Sequence, residues 1–560
     1  MKQSTSVASN FIEKVQPHNS RSVKLGFLAA AITVAASICN GVASTQEATE
    51  PIWPTKEWQM STPEEQGVDS RELAKVVDFG ASRVLSSTGA TPSSRLDSLL
   101  VVRHGKIVAE AYYAPYAAEI LHQVNSVTKA VTGTLTAIAS KDGLLDSLNH
   151  RVLDFFDRGS IADIDPRKEA ISVQNLLDMT SGIAWMELGL EGTPNSTVSE
   201  MVHSPDWVKF ILDRPMRSAP GEDFNYDSGN QHLLSAILTK LTGMSTLEYA
   251  KAKLFSPLGI NDLYWWHDPQ GITIGGYGLF LQPRDMAKIG YLYLHNGEWE
   301  GKQLLPSAWI DKVSHATIDM HLEPGLRYSN CFWALPEKHV YMADGYLGQV
   351  IMVFPDLDVV AVTTGRANFR LNEFADLVSG AAKSDTSLPL DAAGAKLLAN
   401  KILDASTEKP TEVGPTSKVA AIISGKVYRF PPNEINLKSL SLVLAGQQPR
   451  YEMEAYARDA AKSGAIFTGP LGLDGLYRKG ELTSQGANNP LFGGPPRVRV
   501  VNAVKGTWID DHTFVVDWRV LGLANSQEER WTLTFDGEKL NVRVKFGAWP
   551  EMSGDGEAGG

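Results

Sequence analysis

The sequence predicts an α/β or α+β domain followed by a separate all-β domain. Three observations support this prediction: β-rich runs lie near both ends of residues 50–400, helical patterns lie between them, and β-rich runs dominate from residue 417 onward. The 560-residue chain exceeds the roughly 100–200 residues of one ordinary domain. Its hydrophobic fraction of 43% and charged fraction of 21% are typical of a soluble globular protein.

Predicted β-hairpins flank the helical part of the first domain. Residues 97–113 hold two β-rich runs around a His-Gly turn, and residues 349–364 hold two more around a Pro-Asp turn. Between these hairpins, apolar residues recur at helical spacing from Ser126, across residues 231–243 and after Pro283. Strands outside and helices between them place this domain in the α/β or α+β class.

A polar segment with two prolines separates the two predicted domains. We assign residues 50–400 to the first domain, residues 401–416 to a linker and residues 417–555 to an all-β accessory domain. In the accessory domain, alternating and β-branched runs follow one another, and the last of them folds back at Asp536-Gly537. This pattern predicts an open barrel or a sandwich, in which no catalytic constellation is evident.

The first 45 residues have the pattern of a secretory signal peptide. Arg21 and Lys24 precede an apolar run over residues 25–39, and small residues follow it. The run is shorter than the about 20 apolar residues of a membrane span. We therefore predict a periplasmic or secreted protein, with an uncleaved membrane anchor as the alternative. Cleavage would remove Cys39 and leave only Cys331, so no internal disulfide is expected.

Composition and motif content exclude several classes of function. The net charge of −12 argues against nucleic-acid binding, which needs a basic face, and is compatible with a neutral or cationic small substrate. No Gly-x-Ser-x-Gly pentapeptide of an α/β-hydrolase is present. The 12 histidines are scattered without the spacing of zinc ligands. We predict neither a metal nor an organic cofactor.

The tetrapeptide Ser126-Val127-Thr128-Lys129 is a candidate catalytic pair. A helix start exposes free backbone N–H groups, and a lysine three residues after a serine lies on the same helical face. A serine hydroxyl becomes a good nucleophile only when a base takes its proton. The alternative is a serine that caps the helix and a solvated lysine. The same pattern at residues 406–409 lies in the predicted linker, and we interpret it as chance.

Two further segments give the chain a recognisable order of motifs. Tyr226-Asp227-Ser228 lies in a loop before the second predicted helix, and Gly345 and Gly348 precede the last predicted hairpin. With its Ser-x-x-Lys, Tyr-x-Ser and Gly-containing strand motifs in this order, the chain resembles the serine β-lactamase-like superfamily. The resemblance spans about residues 60–370. It is closest to the branch of 6-aminohexanoate-dimer (nylon-oligomer) hydrolases and esterases, beside class C β-lactamases and DD-peptidases.

The resemblance implies a fold and a set of catalytic roles. The fold is a β-lactamase/transpeptidase-like antiparallel sheet flanked by helices. Ser126 would attack the acyl carbon, while Lys129 and Tyr226 would share the work of the general base. The backbone N–H groups of Ser126 and Tyr346 would bind the oxyanion. Tyr226 has the alternative of an ordinary loop aromatic that packs on the next helix.

The resemblance also implies substrate-binding residues, namely Ser228, Gly345 and Trp333. For Ser228 the alternative is a cap of the following helix, and for Gly345 it is close packing of backbone in a strand. Ser228 would hydrogen-bond either the lysine or the substrate. Trp333 lies where relatives place an aromatic residue near the cleft.

One departure from the family pattern bears on the substrate. β-Lactamases place a lysine or histidine two residues before the glycine of the last motif, whereas this chain has Ala343-Asp344-Gly345. An acid at this place disfavours a substrate carboxylate. We therefore predict a serine hydrolase that cleaves small-molecule esters or linear amides through an acyl-enzyme on Ser126. The alternatives are a β-lactamase or D-amino-acid peptidase, or a non-catalytic binding or scaffold protein that retains the fold.

Overall fold

The computed structural model describes residues 51–81, 95–190, 193–366, 368–456, 466–481, 501–523, 529–546 and 551–559. The predicted signal peptide lies outside these residues. The described residues, from Pro51 onward, belong to one compact unit. Within these ranges, none of the helices combines the length and apolar character that crossing a membrane requires.

The first region contains a large sheet and two small ones. Its strands are β1 (Gln59–Met60), β2 (Leu96–Arg103), β3 (Lys106–Tyr112), β4 (His122–Gln123), β5 (Tyr264–Trp265), β6 (Leu279–Leu281), β7 (Glu298–Trp299), β8 (Lys302–Gln303), β9 (Ile318–Asp319), β10 (Arg327–Ser329), β11 (Phe332–Leu335), β12 (Val340–Gly345), β13 (Gln349–Phe354) and β14 (Val359–Gly365). Among the described residues, nine of them form the large sheet in the order β1-β3-β2-β14-β13-β12-β11-β10-β9. All its pairs are antiparallel except β1 with β3.

Helices cover both faces of the large sheet. They are α1 (Ser70–Ala81), α2 (Val127–Lys141), α3 (Pro166–Ala170), α4 (Val173–Leu177), α5 (Thr197–His203), α6 (Trp207–Asp213), α7 (Ser228–Thr242), α8 (Thr246–Ala250), α9 (Pro283–Leu294), α10 (Ser307–Ser314), α11 (Leu371–Ala381), α12 (Ala392–Ser406) and α13 (Val419–Ile423). A π-helical turn at Lys251–Phe255 continues α8. Short 3-10 turns occupy Glu64–Gln66, Val152–Phe155, Arg158–Ser160, Pro336–Lys338 and Pro355–Leu357.

Alternate residues of the central strands point into two separate cores. Leu100 and Val102 of β2 pack in a core with residues of α2, α7 and α9. Leu99 and Val101, which alternate with these two residues along β2, pack in a second core with residues of α1 and α11. Because side chains alternate across a strand, a sheet covered on both faces needs apolar residues at every position. This explains the nearly continuous apolar runs in the sequence.

The predicted hairpins and helices of this region are confirmed. β2 and β3 pair around His104-Gly105, and β13 pairs with β14 around the turn that begins at Pro355. The helix predicted from Ser126 is α2, and the one predicted after Pro283 is α9. α7 begins at Ser228, three residues before the predicted start, because Asp227 caps it.

The C-terminal region forms an antiparallel meander. Its strands are β15 (Val427–Arg429), β16 (Leu437–Val443), β17 (Arg450–Ala455), β18 (Ile466–Pro470), β19 (Arg478–Glu481), β20 (Val501–Trp508), β21 (Thr513–Leu521), β22 (Glu529–Asp536), β23 (Lys539–Phe546) and β24 (Met552–Ala558). In the described part of this region they form one sheet, in the order β18-β17-β16-β15-β24-β23-β22-β21-β20-β19. The edge strands β18 and β19 come within 8 Å of each other, Cα to Cα. The sheet therefore curls around a large apolar core until its two edges lie near each other. This curling favours the predicted open barrel over the predicted sandwich.

The segment predicted as a linker, residues 401–416, is helical in its first part. α12 continues to Ser406, because Ile402 and Ala405 pack against the core beneath α1 and so extend the apolar face of the helix. The polar residues after Ser406 had favoured a loop that begins before the observed end of the helix, at residue 401. Beyond the helix, the chain runs without regular structure until α13.

Candidate active site

Ser126 lies at the start of α2, and its hydroxyl does not cap the helix. The residue occupies the N-cap position, yet its side chain makes no hydrogen bond to the first turn. Instead, the hydroxyl oxygen accepts a hydrogen bond from Lys129 Nζ at 2.8 Å. The preceding residue, Asn125, has a φ of +45°, a left-handed conformation that asparagine tolerates better than most residues. The alternative of Ser126 as an ordinary side-chain cap is therefore wrong.

Lys129 is buried beside this hydroxyl. Only 2% of the residue is exposed, and its ammonium also donates to the Gly276 carbonyl oxygen at 3.0 Å. The Nζ atom lies 4.7 Å from the centroid of the Tyr226 ring. A solvated lysine, the alternative for this residue, is thus wrong. A lysine withdrawn from water and held against a hydroxyl is in position to exchange a proton with it.

Tyr226 reaches the same point from a loop about 100 residues further along the chain. It precedes Asp227, whose carboxylate caps α7 by accepting from the N–H groups of Gly229 and Asn230. The Tyr226 ring is 7% exposed and meets the ring of Trp333 edge to face, with centroids 6.1 Å apart. The structure therefore brings the Ser126 hydroxyl, the Lys129 amine and the Tyr226 ring together at the opening turn of one helix.

The end of β12 lies against the backbone of this turn. A Cβ atom at Gly345 would lie 2.5 Å from the Val124 carbonyl oxygen and 3.2 Å from Ser126 N. Asn125 Nδ2 donates to the Tyr346 carbonyl oxygen at 2.8 Å and so joins the two segments. Among the described residues, the Ser126 N–H has no acceptor. Glycine at position 345 is thus required by a close approach of backbone, and this approach leaves a donor beside the nucleophile.

A cavity of about 290 Å³ opens in front of Ser126. Its apolar wall includes Trp333, and among the described residues its polar lining contains three carboxyl groups but neither lysine nor arginine. The described residues that line it are Ser126, Glu187, Leu188, Tyr226, Leu322, Glu323, Leu326, Trp333, Asp344, Tyr346, Gly348, Asn368, Phe369 and Leu371. The predicted residues Ser126, Tyr226, Trp333 and Tyr346 all line this cavity.

Two of the three carboxyl groups have no hydrogen-bond or ion-pair partner among the described residues. These are Asp344, at the end of β12, and Glu323, both of them half-buried. Burial raises the pKa of Asp344 to about 7, and the charge of Glu323 adds to the rise. The electrostatic potential of the cavity therefore becomes more negative as the pH rises through neutrality.

The third carboxyl group, that of Glu187, is held by several donors. Its Oε2 accepts from Trp185 Nε1 and from the backbone N–H of Ser228, both at 2.8 Å, and its Oε1 accepts from the Ser228 hydroxyl. Nearby, burial raises the pKa of Asp227 well above its ordinary value, and the charge of Glu187 contributes to this shift. Glu187 is therefore fixed in place at the edge of the cavity.

Ser228 itself is the first residue of α7 and is 2% exposed. It does not cap the helix, so that alternative is wrong. Its hydroxyl is engaged by Glu187, and it is not among the described residues that line the cavity. Its direct role toward the substrate stays a prediction.

Sequence reasoning did not find Glu187, Glu323 or Asn368 as parts of the site. All three lie in irregular segments without periodicity. No motif marks these residues, and the position of Glu187 two residues after Trp185 does not predict a place in the cavity.

His122, close to Ser126 in sequence, is a packing residue. It is 2% exposed, and its ring stacks on Tyr116 with centroids 5.4 Å apart. Burial lowers its pKa to about 4, although Asp97 opposes this shift. In the part of the chain that the structure describes, no group of three or more His, Cys, Asp or Glu side chains is placed to hold a metal ion.

Comparisons with known proteins identify the family of the chain. The family model Beta-lactamase matches residues 91–375, just over half of the chain. The 6-aminohexanoate-dimer hydrolase of Paenarthrobacter ureafaciens is 26% identical over 231 residues, which cover 39% of this chain and 56% of that protein. Protein flp of Staphylococcus aureus (strain COL) is 26% identical over 169 residues, which cover 29% of this chain and 33% of that protein. The chain thus spans between a third and just over half of these relatives.

Among solved structures, the octameric penicillin-binding protein homologue from Pyrococcus abyssi aligns with a TM-score of 0.44 and 16% sequence identity. This alignment covers 86% of the present chain and 99% of the archaeal one. The match of the family model extends over the region in which the three motifs occur in order. The chain therefore belongs to the β-lactamase family and is related to 6-aminohexanoate-dimer hydrolase.

Proposed function

We propose that the protein is a serine hydrolase that cleaves uncharged or cationic carboxylic esters and linear amides through an acyl-enzyme on Ser126. The observation that carries this proposal is the hydrogen bond of 2.8 Å between Lys129 Nζ and Ser126 Oγ, made by a lysine that is 2% exposed. Withdrawing an ammonium from water is costly, and this one is held against the hydroxyl of the proposed nucleophile. Such an arrangement is typical of a proton-transfer site.

The proposed reaction uses the groups around the cavity in two steps. In the first step the proton of Ser126 Oγ passes to the Lys129–Tyr226 pair, and Oγ bonds to the acyl carbon. The Ser126 N–H, and in our proposal the Tyr346 N–H, stabilise the oxyanion. The C–O or C–N bond of the substrate then breaks, and the leaving group takes up the proton. In the second step water attacks the acyl-enzyme through the same proton relay and releases the acid.

Burial and charge act on this relay in opposite ways. Desolvation favours a neutral lysine, which accepts a proton directly. A charged lysine beside the phenol instead favours the ionised phenol, which accepts the proton in its place. Nζ lies 4.7 Å from the Tyr226 ring centroid, so the ammonium and the aromatic ring are in contact. We therefore assign the role of general base to the pair.

The charge of the cavity supports the proposed substrate class. Glu187, Glu323 and Asp344 line it, and no lysine or arginine does so among the described residues. A substrate carboxylate would approach three acidic groups, and the neighbouring cation, Lys129, lies behind Ser126 and does not line the cavity. Penicillins and peptidoglycan stem peptides carry such a carboxylate, so we expect them to be poor substrates.

A fluorophosphonate probe tests the proposed function. We expect stoichiometric labelling of the full-length protein, complete loss of labelling in Ser126→Ala and unchanged labelling in Ser406→Ala. The second variant controls for the other Ser-x-x-Lys pattern. No labelling of the wild type by the probe, together with no turnover of p-nitrophenyl butyrate, would instead indicate a binding protein that retains the fold.

We also propose that the protein is exported to the periplasm or secreted. This proposal rests on the N-terminal pattern alone, a charged segment followed by a mainly apolar run of 15 residues and then by small residues. Fractionation of cells that express the full chain, followed by N-terminal sequencing, tests it. A cytoplasmic protein that keeps its first 45 residues would contradict export.

A further inference from the structure

The barrel formed by β15–β24 contacts the β-lactamase-like region directly before Ser126. Four buried residues form a small apolar cluster at this place: Tyr116 and Ile120 from the first region, and Ala503 and Leu521 from the barrel. All four are at most 5% exposed. The cluster therefore fixes the end of β21 against the segment that leads to the nucleophile.

A backbone contact lies beside this apolar cluster. The Gly522 carbonyl oxygen, one residue after β21, accepts a hydrogen bond from the Gln123 N–H at 2.6 Å. Gly522 has a φ of +84°, and a Cβ atom there would lie 2.0 Å from the Leu121 carbonyl oxygen. Ordinary contacts of a Cβ atom begin near 3.4 Å. Any side chain at Gly522 would therefore displace residues 121–123 by more than an ångström or deform the barrel turn.

The displaced segment is directly connected to the candidate site. Gln123 belongs to β4, an edge strand in the order β4-β6-β5, so Gly522 supplies the acceptor on its open side. The next residue, Val124, donates to the Leu279 carbonyl oxygen at 2.9 Å, and its own carbonyl oxygen lies against Gly345. Two residues later comes Ser126. Only two residues, Val124 and Asn125, thus separate β4 from the serine and its oxyanion donor.

We propose that Gly522 is a positioning residue for the Ser126 site, through which the barrel holds residues 121–125 in the conformation that acyl transfer requires. The effect on turnover rests on the proposed function, whereas the effect on the backbone does not. Catalytic hydrogen bonds depend steeply on distance, and a misplacement of about 1 Å can cost about 100-fold in rate. The accessory barrel would then be an integral part of the active site.

The test compares Gly522→Ala with Gly425→Ala in the full-length protein. Gly425 also lies in a turn of the barrel and has a φ of +83°, but a Cβ atom there meets nothing within 4 Å. Both positions have a similar positive φ, and only one substitution inserts an atom between the barrel and β4. Hydrogen–deuterium exchange of the peptide that contains residues 121–129 is measured together with kcat and KM for p-nitrophenyl butyrate.

We expect Gly522→Ala to accelerate exchange of this peptide about tenfold or more, because the Gln123 N–H loses its acceptor. We also expect kcat to fall about 100-fold while KM changes less than threefold. Gly425→Ala should leave both the exchange rate and the kinetics at wild-type values. Leu521→Ala, which only removes part of the apolar cluster, should give a smaller shift in the same direction.

Leu521→Ala also keeps the test decisive if Gly522→Ala does not fold. Wild-type exchange and wild-type kcat in the variants at 521 and 522 would overturn the proposal. So would equal losses in Gly425→Ala, which would indicate general weakening of the barrel. Faster exchange with unchanged kcat would show that the contact does not position the site. If the wild type has no hydrolase activity, the proposed function fails, and the exchange measurement still reports whether Gly522 holds β4.

Discussion

The chain contains the Ser-x-x-Lys pattern twice, and the two copies lie at opposite ends of helices. Ser126 precedes the first turn of α2, so that Lys129 lies on the same helical face. Ser406 is the last residue of α12, so the chain has left the helix before it reaches Lys409. The Ser126 hydroxyl accepts a bond from its lysine, whereas the Ser406 hydroxyl donates to the Leu403 carbonyl oxygen of its own helix.

The surroundings of the two copies differ as much as their backbones. Lys129 is 2% exposed, whereas Lys409 is exposed. The first copy borders a cavity whose charged lining is acidic, and the second borders a groove in which basic side chains outnumber acidic ones among the described residues. The pattern therefore gains chemical meaning only where a helix start and burial force the serine and the lysine together.

Replacing each lysine in turn tests whether the two copies differ in function. Lys129→Met keeps the volume of the buried chain and removes its amine, so we expect kcat/KM for p-nitrophenyl butyrate to fall about 1,000-fold or more. Lys409→Met should leave the rate within twofold, because this side chain is exposed. Steady-state kinetics on the folded variants, checked by circular dichroism, measure both. Comparable rates for the two variants would refute the role of Lys129.

Gly345→Ala tests the backbone that surrounds only the first copy. The added Cβ would lie 2.5 Å from the Val124 carbonyl oxygen and push β12 away from Ser126 N. We expect kcat to fall by about 10²–10³, the value of one oxyanion donor. Gly380→Ala, in α11 with nothing within 4 Å of a Cβ, is the control and should keep full activity. An active Gly345→Ala enzyme would remove Tyr346 from the proposed oxyanion site.

Tyr226→Phe tests whether the hydroxyl of Tyr226 is needed or only its aromatic ring. The variant keeps the ring beside Lys129 and loses only the hydroxyl, so we expect kcat to fall about 100-fold with little change in thermal stability. Tyr477→Phe is a matched control, since Lys505 Nζ lies 4.5 Å from the Tyr477 ring centroid in a similar contact. That variant should retain wild-type kcat. Equal rates for both variants would leave Lys129 as the sole base.

The smallest expected effect concerns the charge of the cavity. The pKa of Asp344 is raised to about 7, so the carboxyl is largely neutral at pH 6 and ionised at pH 8. We compare the p-nitrophenyl esters of 4-trimethylammoniobutyrate and of glutarate. The ratio of their kcat/KM values, cation over anion, should rise about fivefold between these pH values, which corresponds to about 1 kcal/mol for one added charge.

Taking this ratio cancels the titration of groups that act on both esters alike. Asp344→Asn should abolish its pH dependence, whereas Glu337→Gln, in the short 3-10 turn that precedes β12, should not. A ratio of kcat/KM values that does not change with pH in the wild type would contradict the proposal that the substrate experiences the charge of Asp344. A preference for the anionic ester at every pH would contradict the proposed substrate class.

Much of the fold was predictable because it depends on local patterns. The hairpins around His104-Gly105 and Pro355-Asp356, the starts of α2 and α9 and the β-rich character of the C-terminal region all follow from turn residues and periodicity. The extension of α12 was missed, because its last apolar positions, Ile402 and Ala405, pack on distant residues. Closure of the barrel could not be predicted from the sequence either, since it depends on how far the sheet curls.

For the site, the order of motifs in the sequence was enough to predict the family and the candidate serine, lysine and tyrosine. Such motifs are short, and each requires particular residue types at a fixed local spacing. Three features became known only from the folded structure. Glu187 and Glu323 line the cavity, Glu187 accepts a hydrogen bond from the Ser228 hydroxyl, and Gly522 contacts β4. These contacts join loops remote in the chain. Their formation depends on how the elements pack against one another, and local residue patterns do not predict this packing.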